Sequence, residues 1–169
     1  MQTYLEQAFG KSDVTSPRMR AALREWLDLY YGTPRPGEDP APRLAALIVG
    51  KLCRTVFADY DARLAPTAGP LWQDSLRTLN AVAKTAVQYA LIGGECLLKP
   101  VPTGRTLDFV PIRRDCYAPL ARDAHGNLLA VGTMETHTRN GTRYALLERR
   151  VAGADGLTIE TRLFELHGQ

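Results

Sequence analysis

The chain has 169 residues, of which 45% are apolar and 23% charged, and its net charge is +3. This is an ordinary globular balance, enough for one domain with a sizeable core. No apolar run approaches the roughly 20 residues that cross a bilayer, and Met1–Gly10 lacks the charged-then-apolar order of a signal peptide. A soluble intracellular protein with no membrane contact is therefore expected. Basic and acidic residues are spread evenly along the chain, whereas a nucleic-acid-binding domain usually clusters its Lys and Arg.

In chain order, residues 1–15 lack a clear pattern and read as a flexible arm. Ser16 and Pro17 read as the N-cap and first position of a helix. Met19, Leu23, Trp26, Leu27 and Tyr30 share one face of it, and Gly32 ends it. The proline-rich stretch Thr33–Pro42 reads as a loop or linker. A second helix starts near Pro42, with Leu44, Leu47, Ile48, Leu52, Thr55 and Val56 on the face expected to meet the core. A third runs from about Leu71 to Leu91, on a stripe of Trp72, Leu76, Leu79, Ala83, Ala86 or Val87, and Ala90.

At Gly93-Gly94 the apolar period changes from helical to alternating. Strands are expected at Glu95–Pro100, Leu107–Pro111, Cys116–Leu120, Asn127–His137, Thr142–Val151 and Gly156–Leu166. Asp123-Ala124-His125-Gly126, Asn140-Gly141 and Gly153-Ala154-Asp155-Gly156 supply turns between them. The expected fold is α+β, with about three N-terminal helices (residues 16–92) packed on a C-terminal antiparallel meander (93–169) in one domain from 16 to 169. The expected core holds Trp26, Leu27, Leu47, Ile48, Leu52, Leu76, Leu79 and Ala83, joined by Leu97, Phe109, Val110 and Leu146.

The residues that could carry catalysis are few. Ser12, Ser16 and Ser75 lie in no G-x-S-x-G elbow. His125, His137 and His167 have no metal-binding spacing, and Cys53, Cys96 and Cys116 form no C-x-x-C pair. The cysteines read as free buried thiols. Gly93-Gly94 follows a helix and opens a strand, the reverse of phosphate-loop order, so it reads as a helix cap and a tight entry into the sheet. No catalytic residue, cofactor or metal is expected. Arg113-Arg114 and Arg149-Arg150, with Asp115 and Glu148 beside them, read as solvated faces or inter-subunit salt bridges.

The ordered series of segments resembles the N-terminal part of a tailed-bacteriophage portal protein of the siphophage type. It begins with Trp26-x-x-x-Tyr30-x-Gly32, followed by the apolar helix from Leu44 to Phe57 and Ala58-Asp59-Tyr60. The joint from Ala90 to Pro100 comes next, then Phe109-Val110-Pro111, Tyr117-Ala118-Pro119-Leu120, Asp123-x-x-Gly126-Asn127 and the run from Asn140 to Glu148. The resemblance covers most of residues 20–166 and rests on the order of the series rather than on any one motif.

It implies the wing region of a dodecameric, non-enzymatic ring at a capsid vertex, through which double-stranded DNA is packaged and ejected. The implied partners are other portal subunits, the major capsid protein, head–tail adaptors and terminase, in the virion or in the host cytoplasm during assembly. Such proteins continue through stem, clip and crown regions, so the resemblance implies a truncated or split gene or a prophage remnant. The alternative is a stand-alone bacterial α+β module that binds a ligand or peptide. Candidate interface residues are Tyr30, Tyr31, Phe164 and Leu166, on the helix Ser16–Tyr31 and the edge strand Thr158–Leu166. Those two elements carry more apolar surface than one packed stripe needs.

Overall fold

The computed structural model describes residues 1–32 and 43–166. The expected loop Thr33–Pro42, the helix start near Pro42 and His167 lie outside the described residues. The chain is α+β, with four helices preceding six antiparallel strands among the described residues. The helices are α1 (Gln2–Phe9), α2 (Pro17–Tyr31), α3 (Leu44–Val56) and α4 (Pro70–Gly93). The strands are β1 (Cys96–Thr103), β2 (Thr106–Arg113), β3 (Tyr117–Arg122), β4 (Leu128–Arg139), β5 (Thr142–Gly153) and β6 (Gly156–Leu166). A 3-10 turn at Arg114–Cys116 separates the hairpin β1–β2 from the four-stranded meander β3-β4-β5-β6. The chain gathers into two compact units. One holds Arg20–Arg114; the other joins Met1–Met19 to the stretch from Asp115 onward.

In the Arg20–Arg114 unit, α4 lies on the hairpin β1–β2 and α3 lies on α4. Two hydroxyls fix α4 to the start of β2. Ser75 Oγ accepts from the Leu107 N–H at 3.2 Å and donates to the Leu71 carbonyl at 2.6 Å, while Thr78 Oγ1 lies 2.6 Å from the Leu107 carbonyl. Ser75 is almost wholly buried, so both sides of its hydroxyl are satisfied where an unpaired one would be costly. The helix ends as the glycine pair suggested. Gly94 takes a left-handed conformation, φ +81°, and its N–H bonds to the Ala90 carbonyl. Gly93 is buried, and a Cβ there would lie 2.7 Å from the Cβ of Arg114.

The face of α3 is opposite to the one expected. Val49 and Cys53 are its buried residues, clustered with Ile92 and flanked by Leu27, Tyr30, Val87 and Tyr89. Leu44, Leu47, Ile48, Leu52 and Val56 are 47–61% exposed. Periodicity identifies residues that share a face but not what the face meets, and α3 is apolar on both sides. Its inner side is small, with Ala45 and Ala46 beside Val49 and Cys53, which allows close approach to α4. Trp26 and Val110, also expected inside, are exposed, as is Trp72 on the stripe of α4. Leu27, Leu76, Leu79, Ala83, Leu97, Phe109 and Leu146 are half-buried.

The other unit corrects the reading of residues 1–15 as a flexible arm. Residues Gln2–Phe9 form a helix, and Leu5 is fully buried among Ala118, Leu120, Ala130, Ala145 and Leu147. Met1, Tyr4, Ala8 and Phe9 pack around the same cluster. Burial of the Leu5 side chain contributes roughly 2 kcal/mol, and Gly132 makes room for it: a Cβ there would fall 2.8 and 2.9 Å from the two Leu5 methyls. The Val14 N–H bonds to the Pro119 carbonyl, and Asp13 caps the Thr15 N–H at 2.8 Å. The helix leaves no mark in the local sequence, because it has no capping side chain and no acidic first turn. Its stability comes from packing against strands more than 100 residues away.

The turns follow the sequence reading. Asn140, φ +50°, and Gly141, φ +80°, join β4 to β5. Positive φ at both central positions suits the right-handed twist of a two-residue hairpin. Between β3 and β4, the Asp123 carboxylate accepts three bonds of 2.8 Å, from the Asn127 side-chain amide and from the N–H groups of Asn127 and His125. The bond from the Asn127 amide is the main cause that holds its pKa below the ordinary carboxylate value. A depressed carboxylate supports the fold above its unfolded pKa of about 3.9. That support is lost as pH falls through the lowered folded value. The amide signals of His125 and Asn127 should therefore shift together below about pH 4, and Asp123→Ala should abolish the transition. Independent movement of the two signals would sink this reading.

Candidate interaction surfaces

On the Arg20–Arg114 unit, the outer face of α3 is a continuous apolar strip: Leu44, Ile48, Leu52 and Val56 follow one another at four-residue spacing, with Leu47 beside them. Lys51 and Thr55 lie within it, both exposed, and α3 carries no acidic residue. Five large apolar side chains on one solvent-facing helix are the usual mark of an interaction site. Because these side chains contribute little to the fold, Leu47→Glu with Ile48→Glu should change unfolding stability by no more than about 0.5 kcal/mol per site. The same change should reduce apolar-dye binding and concentration-dependent association. A loss of several kcal/mol in a denaturant melt would instead place this face inside.

Beside it lies an open, apolar cavity of about 320 Å³ lined by Trp26, Leu29, Tyr30, Ala45, Val49, Leu91, Ile92 and Gly94. The Tyr30 hydroxyl accepts from Gln88 Nε2 at 2.5 Å.

The candidate interface residues are placed as follows. Tyr30 is half-buried against the Val49–Cys53–Ile92 cluster. Tyr31 is 41% exposed and meets Tyr30 edge to face, ring centroids 5.0 Å apart. The Arg113 guanidinium donates to the Tyr31 hydroxyl and lies 5.2 Å from its ring centroid. Phe164 and Leu166, in the other unit, are half-buried against the Leu5 core, with Phe164 6.4 Å from the ring of Tyr4. The structure thus brings Tyr30 together with Tyr31, and Phe164 together with Leu166. In each pair the packing inside its own unit explains much of the apolar character.

The paired arginines each meet a partner within the chain: Arg113 meets Tyr31, and the other three meet carboxylates. Arg114 is buried, with Nε 2.7 Å from Glu95 Oε1. Arg149 reaches Glu160 at 3.1 Å, and Arg150 reaches Glu148 at 2.6 Å. Of these pairs only Arg149–Glu160 is set by strand register, which places the two directly opposite on β5 and β6; Arg150 and Glu148 lie two apart on β5 itself.

His125 lies in the β3–β4 turn, and His137 is exposed on β4, 3.7 Å from Glu135. Of the thiols expected to be buried, only Cys53 is; Cys96 is half-buried and Cys116 exposed. Burial pushes the Cys96 thiol pKa up, away from the range of a reactive thiolate. Among the described residues no three His, Cys, Asp or Glu side chains gather as a metal site, and no helix is long and apolar enough to cross a membrane.

The last surface is β6. It forms one end of the sheet and, among the described residues, pairs only with β5. Phe164 and Leu166 face the Leu5 core, while Leu157, Ile159 and Leu163 on the opposite face are 49–64% exposed. No family model, curated protein or solved structure matches the chain.

Proposed function

We propose that the chain is the wing region of a tailed-phage portal, a structural and non-enzymatic part of the ring through which DNA is packaged and ejected. The observation that carries this reading is the outer face of α3, five apolar side chains turned to solvent around Lys51. A ring subunit needs a face of this kind, because heterologous contacts between copies close a ring without any catalytic group. The ordered resemblance from Trp26 to Glu148 supports the same reading. In it, α3 serves subunit or capsid contact, and terminase, head–tail adaptors and DNA meet other parts of the assembly. The test is the genomic locus. A large-terminase gene on one side and a protease, scaffold or capsid gene on the other are expected; a locus with neither would remove the proposal.

The second reading is a stand-alone module that binds a ligand or peptide, and the apolar cavity beside α3 favours it. Saturable uptake of a small aromatic probe, abolished by Ala45→Trp, would turn the choice toward it.

A further inference from the structure

We propose that β6 pairs with β6 of a second copy of this chain, antiparallel, about a two-fold axis at Thr161. β6 offers an 11-residue edge that contains no proline and, among the described residues, pairs on one side only. Such an edge is a template for another strand. Across a two-fold axis, residue i meets residue j of the partner with i + j constant. The period of two in a strand keeps the two apolar sets on their own faces only if i and j are both odd or both even.

Three central registers satisfy this, and charge selects among them. Centring on residue 160 sets Glu160 against itself, and centring on 162 sets Arg162 against itself. Like charges directly opposite destabilise a pair of strands. Centring on Thr161 sets Glu160 opposite Arg162 twice. It also sets Ile159 opposite Leu163 twice on the exposed face, where these side chains are 49% and 64% exposed. Opposite-charge and apolar pairs directly opposite each other are what stabilise paired strands. Thr161 is also the midpoint of Gly156–Leu166, so the same register is the one that uses the whole strand.

The charges are available for this role. The Glu160 side chain is 43% exposed and holds Arg149 at 3.1 Å, which leaves acceptor capacity on a carboxylate. The exposed Arg162 donates weakly to the Thr161 carbonyl at 3.5 Å, and its guanidinium meets no carboxylate among the described residues.

The proposal does not rest on the portal reading. A two-fold pairing is isologous and closes at two copies, whereas a ring needs heterologous contact. The locus decides the portal reading and the mass in solution decides this one, so either can fail alone.

The test uses the full chain with Cys116→Ser, by sedimentation and oxidative cross-linking. Directly paired residues lie about 4.5–5.5 Å apart at Cα, within disulfide reach. Thr161→Cys should therefore link two copies. Ile159→Cys alone should not link, but mixed with Leu163→Cys it should. Arg162→Glu should weaken the dimer at least tenfold, and a mixture of Arg162→Glu with Glu160→Arg should restore it as a heterodimer. A chain that stays monomeric at the highest soluble concentration would overturn the proposal. So would linking of Ile159→Cys to itself as readily as Thr161→Cys, or association that Arg162→Glu leaves unchanged. If Glu160→Arg does not fold, the cysteine pairs still decide the register.

Discussion

Leu5→Ala should remove about 3–4 kcal/mol from the unit built on β3–β6, because Leu5 is fully buried and the strands around it cannot close over the gap. Amide exchange along β4 and β5 reads the loss; undiminished protection would return Met1–Gly10 to the status of a loose arm. Gly132→Ala should cost about 1–3 kcal/mol by overpacking, since its Cβ would meet both Leu5 methyls and Leu120, 3.3 Å away. In the Leu5→Ala background that Cβ has space, so Gly132→Ala should become nearly neutral there. The double variant should thus lose clearly less than the sum of the two single losses. Simple additivity would mean that Leu5 and Gly132 do not share the space described.

Glu95→Ala should cost about 3 kcal/mol, because the buried Arg114 guanidinium loses its carboxylate at 2.7 Å. Arg114→Met should cost less. It removes the buried cation itself and leaves Glu95, whose side chain is 33% exposed, within reach of water. The ordering is the informative part. Denaturant melts in which Arg114→Met is the worse variant would assign the role of Arg114 to packing against Gly93 rather than to charge. Salt should affect the Glu95 variant little, because a buried pair is weakly screened.

The strands were legible because their signals are local. Asn140-Gly141 defines its own hairpin, and from Leu157 to Leu163 the apolar residues of β6 keep to one face. Gly93-Gly94 was legible for the same reason, since a helix cap is written in the residues that form it. What the sequence did not reveal depends on distant partners. The face on which Leu44, Leu47, Ile48, Leu52 and Val56 lie was identified correctly, but its exposure follows from α4 taking the smaller side of α3. Helix α1 is the extreme case, because all of its buried neighbours come after Asp115. The candidate site was legible in part. The apolar alternation of β6 was visible as an unpaired edge. Tyr30, Phe164 and Leu166 proved to be half-buried inside their own units, which an apolar side chain near a surface does not announce.

The unit that contains α1 is discontinuous in the chain, and this bears on biosynthesis. Leu147, which covers Leu5, leaves the ribosome 142 residues after it, the difference between their positions. At about 5–20 residues per second, α1 waits on the order of 10 seconds with its apolar stripe uncovered. Arg20–Arg114 emerges whole during that interval and can complete its own hairpin and helices first. Nascent chains arrested before β5 should therefore carry a folded middle and an unsatisfied N-terminal helix, which makes Met1–Phe9 the stretch where a chaperone would hold this protein while it is being made.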